Sequence, residues 1–145
     1  MKAKLMSILL VASLSLTLGV AQPSKKQPPR PFPPLPGVKA LKDLEYGKAS
    51  GRTMRLDLYL PEKSDQPLPL IIWIHGGAWM AGSKTNPSPA LRFTANVYAV
   101  AQVGYRLSQE ARFPAQIYDR KAAVRWLRAN AKKHGIDFIQ AQEPW

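Results

Sequence analysis

Between residues 54 and 103 the chain changes its hydrophobic rhythm twice. Met54, Leu56, Leu58 and Leu60 alternate with Arg55, Asp57 and Tyr59, the period of a strand with one polar face. Leu70-Ile71-Ile72-Trp73-Ile74 and then Val97 to Val103 are instead nearly continuous apolar runs. A strand with one wet face cannot be so uniformly apolar, so both runs predict strands covered on both sides, as in a parallel sheet.

The intervening residues supply the connections. Leu41 to Tyr46 and Arg55 to Leu60 flank the turn-rich Gly47-Lys48-Ala49-Ser50-Gly51, which predicts a β-hairpin. Pro61 closes it, and Glu62 to Pro69 reads as a polar loop into the central strand. Ser88-Pro89 supplies an N-cap and a first-turn proline for a short helix through Leu91, Phe93 and Ala95, ended by Asn96. Strand, short helix and strand make a βαβ unit with a right-handed crossover, hence an α/β fold with a parallel sheet. Pro114 then opens a helix expected to run from Ala115 to His134 and to stop at Gly135. Ile117, Ala123, Val124, Leu127 and Ala131 share one sector of that helix, beside a basic stripe of Lys121, Arg125, Arg128 and Lys132 expected to face water.

Residues 1–21 have the three regions of a secretory signal peptide. Lys2 and Lys4 precede an apolar run from Leu5 to Val20, and small residues lead to a cleavage site expected after Ala21. Residues 22–37 hold seven of the chain's 14 prolines and read as an extended tether. A secreted or periplasmic location follows as an expectation, with no stable membrane insertion once the signal is removed. Formal charge is +12, from 21 basic and nine acidic residues. The basic residues are dispersed without interleaved aromatics on strands, which argues against nucleic-acid binding. There are no cysteines, and the two histidines lie far apart, so neither a disulfide framework nor a metal centre is expected, and no cofactor is implied.

The chemistry gathers where the first apolar run ends. His75-Gly76-Gly77-Ala78-Trp79 follows it directly. Adjacent glycines remove the Cβ atoms that keep a ligand off the backbone, so the N–H groups of Gly76, Gly77 and Ala78 can converge on one developing negative charge. The same residues also fit a plain tight turn, with His75 as a loop anchor.

The motif resembles the H-G-G-x-W/F oxyanion loop of the esterase and lipase branch of the α/β-hydrolase fold. Asp57-Leu58-Tyr59-Leu60-Pro61 is similar to the D-x-Y-x-P preceding that strand. Gly104-Tyr105-Arg106-Leu107-Ser108 with Phe113-Pro114 resembles the family's N-Y-R-L-S-P-E … F-P-A segment, with Gly104 and Gln109 replacing Asn and Pro. The resemblance covers roughly residues 40 to 137 and implies a partial α/β-hydrolase domain over 38–137, a tail over 138–145 that matches nothing, and a small-molecule ester as substrate. It implies that Gly76, Gly77 and Ala78 form the oxyanion hole, that His75 and Trp79 support the loop, and that Asp119 occupies an acidic position of the family. Asp119 is expected to pair with Arg106, because both flank one loop. Ala78 stands where hormone-sensitive-lipase relatives carry a third glycine, which brings the carbohydrate-esterase and feruloyl-esterase-like group nearer.

No serine of the chain has glycines two residues to either side, so the G-x-S-x-G elbow of a complete α/β-hydrolase is not among these residues, and no member of the catalytic triad is assigned. The expectation is an N-terminal part of a secreted carboxylic-ester hydrolase, inactive as given, from a truncated or frame-shifted gene. The alternative is an exported basic protein that binds a ligand or a surface without catalysis.

Overall fold

The computed structural model describes residues 35–138. The expected signal peptide, residues 22–34 of the tether and residues 139–145 of the tail lie outside them. Within this span a mixed sheet is formed by β1 (Val38–Ala49), β2 (Arg52–Pro61), β3 (Leu68–Ile74), β4 (Ala99–Val103) and β5 (Ile136–Asp137), in the order β1-β2-β4-β3-β5. A helix, α1 (Ala115–Ala129), covers one face.

The hairpin is longer than its hydrophobic pattern indicated. The turn contracts to Ser50 and Gly51, with φ of 50° and 73°. Two consecutive left-handed residues give the turn the twist that the flanking strands require. Gly47, Lys48 and Ala49 are therefore strand, paired with Met54, Thr53 and Arg52. Register shifts at Leu41/Leu44 and Glu45/Gly47 mark bulges in β1, and Asp43 within the first has φ 56°. Just before β1, Leu35 packs on the cluster around Tyr59, and the Gly37 carbonyl accepts the Glu62 N–H at 2.9 Å.

β3 and β4 are parallel, in register from Leu70↔Ala99 to Ile74↔Val103. Their connection is a 3-10 helix, Pro89–Asn96, whose N-cap Ser88 accepts the Ala90 N–H at 3.1 Å. Its left-handed terminator is Val97 (φ 59°), not Asn96, so Val97 and Tyr98 lie outside β4 and Val97 is exposed. Leu56, Leu58, Ala99, Ala101 and Val103 face α1, whose Ala123 and Leu127 are buried with them, as is Ala131 just beyond its end; Val124 and Ile117 are half-buried. The other face holds Tyr59 and Val100 against Ala90 and Leu91. Lys121, Arg125, Arg128 and Lys132 are exposed.

Two further expectations are corrected. α1 ends at Ala129 rather than His134, because Asn130 turns back on the last turn, its backbone N–H and its side-chain amide both bonding the Trp126 carbonyl. Gly135 (φ 64°) instead ends a separate 3-10 turn, Lys132–His134. Leu70 to Ile74 are half-buried rather than covered on both sides. The reason is that β5 pairs only with Leu68 and Pro69, leaving the rest of that edge of β3 uncovered among the described residues.

Candidate active site

The backbone leaves β3 at Ile74 and enters a tight turn. Gly77 has φ 115°, and a Cβ there would lie 2.2 Å from the Ala81 oxygen. Its carbonyl accepts the N–H groups of Met80 at 2.9 Å and Ala81 at 3.0 Å. Ala78 and Trp79 follow with φ of 52° and 61°. Two successive non-glycine residues in the left-handed region are uncommon and store strain that the surroundings must hold. The consequence is that, among the described residues, no backbone carbonyl takes the amide hydrogen of Gly76, Gly77 or Ala78.

His75 is buried beneath this turn. Its Nδ1 donates to the Gly76 carbonyl at 2.9 Å, which places the proton on that nitrogen. The ring stacks on Tyr105, centroids 4.3 Å apart and planes 10° apart, while the Tyr105 hydroxyl donates to the His75 carbonyl at 2.8 Å. Burial pushes the Tyr105 phenol above its ordinary value. Gly82 closes the loop from the other end, where a Cβ would lie 2.4 Å from His75 Nδ1 and 2.5 Å from the Gly76 oxygen. His75 is thus geometrically a loop anchor.

The segment after β4 braces the outer part of the turn. The Trp79 carbonyl accepts the Ser108 N–H at 2.9 Å and the Ser108 hydroxyl at 3.2 Å, and Gln109 Nε2 donates to the Met80 carbonyl at 2.8 Å. The Trp79 ring is partly exposed and stacks on Phe113 at 6.2 Å, with the Arg120 guanidinium 5.8 Å away.

Arg106 and Asp119 meet in a bidentate pair. Nη2 and Nε of Arg106 lie 2.8 and 2.9 Å from the two carboxylate oxygens, and the Arg106 backbone N–H donates to the same carboxylate at 3.0 Å. The Asp119 hydrogen bonds hold the guanidinium above its ordinary value despite burial. The pair ties the β4 exit to α1 and so fixes the segment that carries Tyr105 and Ser108.

Sequence reasoning assigned no role to Gly82, Tyr105, Asp57 or Lys84. Gly82 carried a signal, since a third glycine soon after a Gly-Gly pair is what a returning loop needs. The Lys84–Asp57 contact, at 2.6 Å, joins residues 27 apart and left none. Ser88 caps its helix, Ser108 braces Trp79 and Ser50 accepts from Arg106. Among the described residues no hydrogen bond joins a serine hydroxyl to a histidine.

A mixed sheet of this strand order, with a Gly-Gly loop at the end of the parallel strand β3, defines part of an α/β hydrolase of the esterase and lipase branch. The chain belongs to the BD-FAE family, whose model matches residues 56–141. It is 36% identical over 74 residues to Esterase LipC of Mycobacterium tuberculosis, covering 50% of this chain and 18% of that protein. It is 34% identical over 108 residues to an arylesterase of Saccharolobus solfataricus, covering 69% of this chain and 35% of the relative. A solved structure described as a truncated form of a carbohydrate esterase from gut microbiota superposes with TM-score 0.59 at 35% identity, over 68% of this chain and 36% of that one. The chain therefore spans about a third or less of the length of these relatives.

Proposed function

We propose that this chain supplies the oxyanion-stabilising part of a secreted or periplasmic carboxylic-ester hydrolase, with Gly76, Gly77 and Ala78 as the backbone donors. The observation that carries the reading is the set of three amides that have no backbone acceptor among the described residues, presented by a turn braced on both sides. Attack on an ester carbonyl moves negative charge onto its oxygen, and preorganised N–H groups aimed at that oxygen stabilise the transition state. The serine nucleophile, its acid and its base are supplied by residues outside this chain, so the chain by itself does not turn over esters. The substrate is a small-molecule ester. Support for a carbohydrate ester comes from the carbohydrate esterase among the similar structures and from Ala78 in place of a third glycine. The case for export rests on the pattern of residues 1–21.

The test joins residues 1–137 to the nucleophile-bearing portion of the Saccharolobus solfataricus arylesterase. The fusion is expected to hydrolyse p-nitrophenyl acetate, and Gly77→Val is expected to lower kcat by about 10²–10³, the cost of losing one oxyanion donor. The 145-residue chain alone is expected to show no acyl-enzyme burst. A fusion that keeps full kcat with Gly77→Val would make the loop only a turn.

A further inference from the structure

We propose that Lys84 is a positioning residue for the oxyanion loop, pinning to the sheet the arm by which that loop returns. This rests on the reading of residues 76–78 as the oxyanion-binding turn. The Lys84 ammonium lies 2.6 Å from Asp57 Oδ1 and 2.9 Å from Asp43 Oδ1, with its side chain 14% exposed. Asp57 belongs to β2 and its side chain is 1% exposed. The same carboxylate accepts the Asp43 N–H at 2.9 Å and the Lys42 ammonium at 3.3 Å, both from the bulge in β1. The anchor is therefore a fully engaged carboxylate that moves with the sheet.

What the anchor holds follows from chain geometry. Gly82 lies two residues before Lys84 and is tucked against the His75 ring and the Gly76 carbonyl. Two residues span at most about 7 Å, so a fixed Lys84 confines Gly82, and Gly82 closes over the residues that open the turn. The stem of Lys84 lies along Gly104, where a Cβ would meet the Lys84 Cδ at 3.6 Å. Among the described residues no other ion pair holds this arm: the Ser83 and Thr85 side chains bond each other. Charge-assisted bonds are roughly twice as strong as neutral ones.

Neutralising Asp57 is not a sufficient role for Lys84, because Lys42 pairs with the same carboxylate. What Lys84 alone does, among the described residues, is tie residues 82–84 to β1 and β2 by ion pairs. Together with the Ser108 and Gln109 contacts to Trp79 and Met80, it completes a two-sided brace around the three amides.

The experiment compares Lys84→Met, which keeps most of the stem and removes the ammonium, with Lys84→Arg. In the 145-residue chain, amide exchange at Met80 and Ala81, whose N–H groups bond the Gly77 carbonyl, is expected to speed up at least about tenfold in Lys84→Met, with β4 amides unchanged. Lys84→Arg is expected to restore protection. In the fusion with the arylesterase portion, Lys84→Met is expected to lower kcat by about 10²-fold at nearly constant KM, the cost of misplacing a catalytic group by about 1 Å. Unchanged exchange, acceleration spread equally over β4, or a wild-type turn with no protection to lose would each overturn the proposal. A wild-type fusion without esterase activity would instead overturn the oxyanion reading, while exchange still decides whether Lys84 pins the loop.

Discussion

Tyr105 holds His75 twice, once by stacking ring on ring at 4.3 Å and once by donating its hydroxyl to the His75 carbonyl at 2.8 Å. Both contacts are buried, and they fix both the side chain and the backbone of the residue where β3 turns into the loop. Tyr105→Phe keeps the stack and strands the carbonyl. A buried acceptor left without a partner costs about 1–3 kcal/mol, and urea denaturation should show a loss of that size with an unchanged m-value.

The three glycines of the loop should respond differently to alanine. An added Cβ at Gly76 meets nothing within 4 Å, whereas at Gly77 and Gly82 it lies 2.2 and 2.4 Å from existing atoms at φ of 115° and 101°. Gly76→Ala should therefore leave the unfolding midpoint nearly unchanged. Gly77→Ala and Gly82→Ala should each lower stability by about 1–3 kcal/mol, measured by thermal or chemical unfolding.

Reversing both charges of the Arg106–Asp119 pair should not restore what either single reversal loses. Asp119 accepts the Arg106 backbone N–H as well as its guanidinium, and a basic residue at 119 cannot replace that acceptor. Breaking a buried pair by removing one partner costs about 3–5 kcal/mol. A double-mutant cycle by denaturation should show the Asp119→Ala loss at this scale and incomplete rescue in the swapped double variant.

Stability should form a plateau between about pH 6.5 and pH 10, the ordinary values of histidine and tyrosine. Burial, aided by Lys133 and Lys39, lowers the His134 pKa, so the unfolded chain binds the proton first and stability falls as pH drops below the plateau. Asp43, lowered by its bond to Lys84, adds a second acid loss when the pH passes through its folded value. On the alkaline side burial raises Tyr46 and Tyr105. Lys84 is raised because its bonds to Asp57 and Asp43 outweigh desolvation. A raised folded pKa gives stability that is complete below the unfolded value and lost above it. Urea midpoints across about pH 2 to 11 should trace both limbs, and Lys84→Met should remove part of the alkaline one.

The uncovered edge of β3 predicts self-association of the 145-residue chain. Ile71, Ile72, Trp73 and Ile74 are half-buried, uncharged and paired on one side alone among the described residues. Such an edge is a template for another strand, and an edge lysine is the usual block. Light scattering should find oligomers in the unaltered chain and a shift toward monomer in Trp73→Lys.

The parts legible in the sequence were those written in local pattern. The alternation through Leu56 and Leu58, the two apolar runs and the Gly-Gly turn located β2, β3, β4 and the loop, because period and backbone freedom are properties of neighbours. The end of α1 was misplaced because Gly135 is the stronger stop signal, while Asn130 acts earlier by bonding Trp126. Val97 in a left-handed conformation was illegible, since a β-branched residue disfavours it. The burial of β3 was overstated because an apolar run records what a strand can tolerate, whereas its actual cover depends on how far β5 pairs with it. The Lys84 network joins a loop to a bulge and a distant strand, and no spacing announces it.

Among the described residues, the contacts that shape the turn at residues 76–82 come from between Asp43 and Arg120. In a chain made from its N-terminus, this set is complete once Arg120 has left the ribosome. The chemically useful amides are thus organised early in synthesis. Ile71 to Ile74 are in place by the same point with one edge uncovered among the described residues, so a nascent chain at that stage already presents an edge with which a neighbouring strand can pair.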